Sequence, residues 1–257
     1  MRFGVCNPYK NAAFIQACGY DYIEPFLFEM VSMTDEAFET CLETLAASGI
    51  KAEVYNGFFP GHLSLVGPHV DFAAISEYVD KAIVRANALG SKMLVLGSGG
   101  SRNIKEAYDR AACEEQFIAI AREIGKKMEP YGMRLVIEPL NRYETNFINT
   151  VPEGAEIARR IGCDNVKTMV DFFHHSMVGG TDEDILSHKE YIGHIHVASN
   201  HPDRHVPREE DREVLLHWAD IVRQLDCHDR VSIEGIFADF AKDVACAREC
   251  IRVFEDV

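Results

Sequence analysis

Short apolar runs alternate along the chain with longer segments in which apolar residues recur every three or four positions. Most of the short runs hold four or five nearly continuous apolar residues, as parallel strands buried on both faces do. Eight such runs predict strands at residues 3–6, 22–24, 52–55, 92–96, 134–138, 167–171, 193–197 and 231–234.

The longer segments have the periodicity of amphipathic helices. Their ends carry helix signals: Thr34 precedes two acids, Gly49 follows the first helical pattern, and Pro152 opens a later one that stops before Gly162. The predicted helices span residues 34–48, 71–89, 104–128, 151–161, 182–188, 212–225 and 241–254.

Strict alternation of strands and helices implies parallel strands joined by right-handed crossovers. Eight predicted strands, seven of them followed by a predicted helix, in 257 residues fit a (β/α)8 TIM barrel better than a doubly wound sheet. A dinucleotide-binding sheet would carry Gly-x-Gly-x-x-Gly after its first strand, where this chain has Val5-Cys6-Asn7-Pro8. No linker or shift in composition divides the chain. We therefore expect one α/β barrel domain over residues 1–257.

Composition and charge remove several classes of function. Hydrophobic residues make up 47% of the chain and charged residues 26%, as in an ordinary globular protein. The formal net charge of −15 is the opposite of the basic surface that binds nucleic acids or anionic membranes. We therefore expect neither as a partner.

The cysteines and the first residues bear on the cellular location. The eight cysteines are scattered without a Cys-x-x-Cys pair, and the opening residues lack the apolar segment of a signal peptide. No apolar run approaches the ~20 residues of a transmembrane helix. We expect a cytoplasmic protein with reduced thiols.

Four successive predicted strands end in polar residues that could share one ligand. In a barrel of this type the active site lies at the carboxyl ends of the strands. Burying these side chains without a partner would be costly, and one shared cation removes that cost. Three carboxylates and one imidazole suit Mn²⁺ or Mg²⁺ and are compatible with Co²⁺ or Zn²⁺. The four residues are Glu138, Asp171, His196 and Glu234.

Each of the four also has a structural interpretation. Glu138 can cap a barrel layer, Asp171 can be the N-cap of the next helix, and Glu234 can pair with a lysine or arginine. We expect His194 and His196 to point to opposite sides of their strand, so that one of them is structural.

The same strand ends carry motifs of a known family. The chain resembles the metal-dependent sugar isomerases and epimerases of the xylose-isomerase-like barrel superfamily, and among them the ketose 3-epimerases that act on D-tagatose and D-psicose. The motifs that carry the resemblance are Glu138-Pro-Leu-Asn-Arg-Tyr-Glu144, Asp171-Phe-Phe-His174, His194-Ile-His196-Val and Ser232-Ile-Glu234.

The resemblance implies a role for each matching residue. Glu138, Asp171, His196 and Glu234 would bind one divalent cation, with Mn²⁺ as the family's choice. Glu138 and Glu234 would also exchange the carbon-bound proton of a ketose at C3, through an enediolate. The substrate oxygens would be held by Glu144, His174 and Arg204.

Other outcomes of the same chemistry stay open. The segment 202–207, which contains Arg204, also resembles a loop of the hydroxypyruvate isomerases. A lyase acting on 3-keto glycosides would use the same metal and bases. An abasic-site endonuclease is disfavoured, because it needs several zinc ions and a basic surface. A small sugar is the expected partner, and a homo-oligomer is compatible with the family.

Three weaker features lie near the predicted rim. Glu24 ends the second strand and can touch substrate or be structural. His62 lies in a loop after the third strand and is a candidate for closing over substrate. The glycine-rich segment 97–101 lacks the lysine of a phosphate loop, so we interpret it as a turn that gives substrate room.

Overall fold

The computed structural model describes residues 1–227 and 229–255, and the strands in this part of the chain form one sheet with parallel pairing throughout. The sheet order is β3-β2-β1-β9-β8-β7-β6-β5-β4. Because β3 and β4 follow one another along a single extended segment, the sheet closes into a barrel, which confirms the predicted fold class. The strands are β1 (Arg2–Cys6), β2 (Tyr22–Glu24), β3 (Lys51–Ala52), β4 (Val54–Tyr55), β5 (Met93–Leu96), β6 (Arg134–Ile137), β7 (Val166–Asp171), β8 (Ile192–Val197) and β9 (Arg230–Ile233).

The strand count is nine among the described residues rather than the predicted eight, because the third strand is interrupted at Glu53. Its side chain is buried and pairs with Arg2 at 2.8 Å and Arg230 at 3.2 Å, while its carbonyl accepts the backbone N–H of Lys92 at 2.8 Å. The interruption therefore leaves the barrel closed.

Helices follow the strands and pack around the barrel. The predicted helix at 104–128 begins only at residue 110, because the Asp109 carboxylate caps it by accepting the N–H groups of Ala111 and Ala112. The α-helices are α1 (Ala12–Ala17), α2 (Leu27–Ser32), α3 (Asp35–Ser48), α4 (Phe72–Ala88), α5 (Gly99–Arg102), α6 (Arg110–Met128), α7 (Val151–Ile161), α8 (Phe172–Met177), α9 (Asp182–Leu186), α10 (Arg212–Val222) and α11 (Phe240–Cys250).

The core has two layers. A large cluster fills the space between the helices and the outside of the barrel, and a small one fills the barrel interior. Because strand side chains alternate in direction, the interior members share one face of their strands with the residues at the strand ends. The interior cluster contains Tyr22, Val54, Met93, Val95, Val136 and Met169.

The state of the cysteines and the length and polarity of the helices bear on two further expectations. All eight cysteines are free thiols. Among the described residues, every helix is too short or too polar to cross a lipid bilayer.

Candidate active site

The structure brings the four polar strand ends together. Glu138 follows β6, Asp171 ends β7, His196 lies in β8 and Glu234 follows β9, so all four face the carboxyl-terminal mouth of the barrel. One ligand atom from each lies within 4.8 Å of the others. This is a group of side chains that could hold a metal ion.

His196 lies at the centre of the group. Its Nδ1 atom is 3.0 Å from Oε2 of Glu234, 3.5 Å from Oε1 of Glu138 and 3.7 Å from Oδ2 of Asp171. One ring nitrogen therefore faces all three carboxylates at once.

Arg204 reaches the same group from the loop after β8. Its Nη2 atom lies 2.7 Å from Oδ2 of Asp171 and 2.7 Å from Oε2 of Glu234, and its guanidinium stacks on Phe173 with 4.9 Å to the ring centre. The backbone of Arg204 has a φ of 50°, and it approaches Gly235 so closely that a Cβ there would lie 3.0 Å from the Arg204 carbonyl. Gly235 thus allows this loop to place the Arg204 guanidinium beside the carboxylates of Asp171 and Glu234.

Asp171 caps a helix and also faces the group. Its Oδ1 accepts the backbone N–H of His174 at 2.9 Å and caps α8, while Oδ2 faces the group. The helix cap fixes the orientation of the carboxylate, so that its other oxygen stays directed at the group. Glu234 likewise pairs with an arginine, Arg204, without leaving the group.

The donor set fits a divalent cation. Oε1 of Glu138 is buried and has no hydrogen-bond partner among the described residues, which is costly for a carboxylate. Gly97 makes room for it, since a Cβ at that position would collide with Oε2 of Glu138. Three carboxylates and an imidazole nitrogen are ligands that Mn²⁺ or Mg²⁺ accepts.

The two glutamates have different electrostatic environments. Burial and the negative charge of Glu234 raise the pKa of Glu138. Burial alone would raise the pKa of Glu234, but Arg204 and His196 outweigh it and hold that pKa well below its usual range. Two carboxylates with separated proton affinities suit general acid–base chemistry.

Glu24 lies behind His196 and away from the mouth. It is fully buried, and Oε1 accepts a hydrogen bond from Nε2 of His196 at 2.9 Å, while Oε2 lies 3.1 Å from Nε2 of His194 and 2.5 Å from Oγ of Ser232. Burial would raise the pKa of Glu24, but the charges of His196 and His194 outweigh it and lower that pKa to about 2. These contacts support the structural interpretation of Glu24.

The expectation that His194 and His196 point to opposite sides was wrong. Both rings lie on the same side of β8, 4.9 Å apart and edge to face, and both reach Glu24. Side chains two positions apart on a strand share a face, so this is the geometry that the spacing requires.

His174 and Glu144, predicted to hold substrate, lie beside the group. Nδ1 of His174 lies 3.3 Å from the backbone nitrogen of Asn141, which can only donate, so the proton of a neutral ring is on Nε2. That Nε2 faces Oε1 of Glu138 at 3.9 Å. Glu144 accepts a hydrogen bond from the Asn141 side chain at 3.2 Å and is half exposed.

His62 stands apart from these residues. Its side chain is exposed, and none of the hydrogen bonds or ion pairs between described residues joins it to the group. Its loop contacts the glycine-rich segment, where the Phe59 N–H donates to Oγ of Ser98 and Ser101 donates to the Pro60 carbonyl. We expected this segment to give substrate room, but the Glu138 carboxylate occupies the space beside Gly97.

Two asparagines at the site were missed in the sequence. Asn56, directly after β4, donates to Oε1 of Glu234 at 3.1 Å, and Asn141 donates to His174 and Glu144. The signal for both was present: Asn56 directly follows a predicted strand, and Asn141 lies inside the Glu138–Glu144 motif.

Comparison with known proteins decides the family. The model of the xylose isomerase-like TIM barrel family matches residues 12–249. The chain belongs to this family. Among curated proteins it is 33% identical to the D-psicose 3-epimerase of Ruminiclostridium cellulolyticum over 97 residues, covering 36% of this chain and 32% of that protein. It is 31% identical to the 2-oxo-tetronate isomerase of Pectobacterium atrosepticum over 160 residues, 61% of this chain and 57% of that protein. The matched part thus covers 32% of the length of the epimerase and 57% of the length of the isomerase.

Solved structures share the fold over the whole chain. A D-psicose 3-epimerase in the presence of D-fructose superposes with a TM-score of 0.84 at 20% identity, covering 100% of this chain and 99% of that one. The 3-keto-D-glucoside 4-epimerase of E. coli superposes with a TM-score of 0.79 at 17% identity, covering 100% of both chains. At such identities the likeness is one of fold.

Proposed function

We propose that this chain is a divalent-metal-dependent isomerase or epimerase that moves a proton on the carbon beside the ketone of a small sugar. In its most specific form the reaction is epimerisation of a ketose at C3. The observation that carries the proposal is the convergence of Glu138 and Glu234 with Asp171 and His196, ligand atoms within 4.8 Å of one another.

The proposed chemistry divides the work between the cation and the side chains. A divalent cation held by Glu138, Asp171, His196 and Glu234 would supply a Lewis acid that polarises the ketone and acidifies the neighbouring C–H bond. One glutamate removes the proton from one face of the carbon, and the other returns a proton to the opposite face.

Three neighbouring side chains orient the substrate in this proposal. His174 offers its Nε2–H next to Glu138, and Glu144 offers a carboxylate to a sugar hydroxyl. Arg204, which bridges Asp171 and Glu234 through one nitrogen, keeps further N–H donors for a substrate oxygen. The buried ring of Phe173 beneath the guanidinium limits its movement.

A second candidate is an isomerase of a short hydroxyketone or 2-oxo acid. The match to a 2-oxo-tetronate isomerase over 61% of this chain favours it. The guanidinium of Arg204 at the mouth of the barrel would then pair with the substrate carboxylate.

Both candidates predict solvent exchange at the carbon beside the ketone. The purified chain with Mn²⁺ would be incubated in D₂O with free ketoses, phosphorylated ketoses, a 3-keto glycoside and hydroxypyruvate. Deuterium at C3 of a ketose together with its C3 epimer supports the first candidate, and exchange only with the short keto acid supports the second. Full activity after complete removal of metal by EDTA would contradict the proposal.

A further inference from the structure

Three barrel strands carry a cation on the inward face at their amino end and a carboxylate on the same face four residues later. Residues four apart on a strand share a face, so the barrel interior is basic at one mouth and acidic at the other. The pairs are Arg134 and Glu138, Lys167 and Asp171, and Arg230 and Glu234.

A cavity of about 510 Å³ opens at the basic mouth. It lies at the amino ends of β5 to β9, and its walls carry Lys92, Arg134, Lys167 and Arg230. Its volume lies within the range of small-molecule sites, roughly 300–1,000 Å³. The proposed metal ligands lie four residues further along the strands, about 13 Å away, so this is a separate site.

Three of the four cations have no carboxylate partner among residues 1–227 and 229–255. Arg230 is paired with Asp229 and Glu53, but no ion pair between described residues involves Lys92, Arg134 or Lys167. Arg134 donates to the carbonyl of Gly193 at 3.2 Å, and Lys167 donates to the carbonyl of Glu190 at 3.1 Å. Both side chains keep further N–H donors.

Gly193 helps to place these two side chains. A Cβ at this position would lie 2.8 Å from Cβ of Lys167 and 3.1 Å from Cδ of Arg134. The glycine in β8 therefore allows both cationic side chains to lie across the strand, where their charges face the cavity.

The carboxylates of the cavity lie at its exposed edge. Asp229 is paired with Arg230, and Asp226 lies 3.7 Å from Lys189. Among the described carboxylates that line the cavity, only the exposed Glu190 has no ion pair. The described lining thus holds four cations and three carboxylates, a small local excess of positive charge in a chain with a net charge of −15.

We propose that the cavity between Lys92, Arg134 and Lys167 binds a small anion that carries phosphate or carboxylate groups. Charge-assisted hydrogen bonds from Arg134 and Lys167 would hold the anion, with Lys92 contributing a third charge at the edge. This site does not depend on the metal or on the proposed reaction, and it can be tested without an activity assay.

Titration calorimetry at constant ionic strength tests the site, with inorganic phosphate as one probe and malonate as the other. We expect one saturable site per chain for at least one of the two anions. Saturation by phosphate alone identifies a phosphate site, saturation by malonate alone a carboxylate site, and saturation by both the shared chemistry.

Variants locate the binding. The double variant Arg134→Gln and Lys167→Gln should lose about tenfold or more in affinity, since two bonds to a charged group are removed. Lys92→Gln, an exposed change that spares the fold, should lose several-fold and carries the test if the double variant does not fold. Lys81→Gln on the exposed face of α4 should bind like the parent. Arg204→Gln separates this cavity from the opposite mouth of the barrel, where Arg204 is proposed to meet substrate oxygens.

Four results would overturn the proposal. The first two are the absence of saturable binding for both anions and an equal loss in the Lys81 variant. The other two are a loss confined to the Arg204 variant and, when the double variant fails to fold, unchanged affinity in the Lys92 variant.

Discussion

Oε1 of Glu24 lies 2.9 Å from Nε2 of His196, on the side of the ring opposite the three carboxylates that face Nδ1. Glu24 comes from β2 and His196 from β8, so the contact exists only once the barrel has closed. It fixes the orientation of the imidazole and keeps a proton on Nε2, so that in the proposed site Nδ1 would be the nitrogen that binds the cation.

Replacing Glu24 by glutamine should weaken metal binding without removing a proposed ligand. The amide cannot hold both His194 and His196 as the carboxylate does, so we expect Mn²⁺ affinity to fall about 10–100-fold. Competition with a chelator measures this affinity. Glu29→Gln, an exposed change on α2, is the control, and equal affinities in the two variants would exclude the positioning role.

Gly97→Ala should disturb Glu138 more than it disturbs the fold. The added methyl group would meet the end of the Glu138 side chain rather than backbone, so the carboxylate must turn away from the group. We expect a loss of Mn²⁺ affinity of about tenfold or more and a change in the free energy of unfolding below about 1.5 kcal/mol.

The control for this variant lies in the same segment. A Cβ added at Gly100 would meet nothing within 4 Å. Gly100→Ala should therefore bind metal like the parent. A similar loss of affinity in both variants would mean that the segment as a whole, and not the space beside Glu138, is what matters.

Strand ends were the part of the site that the sequence could predict. An apolar run that stops at Glu138 or Glu234 gives both the strand and the direction of its last side chain, because the pattern and the geometry have the same period. The proposed ligands therefore needed no knowledge of distant contacts. The pairing of Glu24 with His196 did need it, since it depends on how strands far apart in sequence meet.

Loop geometry was the part that could not be predicted. The position of Arg204 depends on a left-handed backbone residue and on the approach of Gly235, neither of which leaves a periodic pattern. Short helices such as α2 and α8 span less than two turns, too few residues for a 3.6-residue period to appear.

Replacing Asn149 should lower the stability of the protein and also weaken substrate binding. It is buried, and its side-chain amide donates to the carbonyls of Leu140 at 2.7 Å and Thr145 at 2.8 Å, which holds the loop that carries Glu144. Asn149→Ala leaves two buried acceptors unpaired, so the free energy of unfolding should fall by about 2–4 kcal/mol. KM should rise more than kcat falls.

Chemical denaturation and steady-state kinetics would check both effects. The exposed Asn87→Ala on α4 is the control, with an expected change within about 0.5 kcal/mol. A destabilised Asn149 variant with an unchanged KM would separate the loop from substrate binding.

If Glu138 and Glu234 are the two bases, the effect of replacing either one should depend on which C3 epimer is supplied. A one-base enzyme would show no such dependence. Glu138→Gln and Glu234→Gln keep the size of the side chain and one oxygen ligand but remove the proton acceptor. Epimerisation should fall about 10²–10⁴-fold in each variant, and added Mn²⁺ should not restore it.

Starting from one C3 epimer in D₂O, the variant that retains the first base still removes the proton and returns deuterium to the same face. It therefore exchanges without epimerising, while the other variant does neither. Starting from the opposite epimer, the results for the two variants should be reversed. NMR of the C3 position in both directions measures this, with metal occupancy confirmed and Glu129→Gln as a surface control. Identical exchange by the two variants from both epimers would exclude a division of the proton transfer between Glu138 and Glu234.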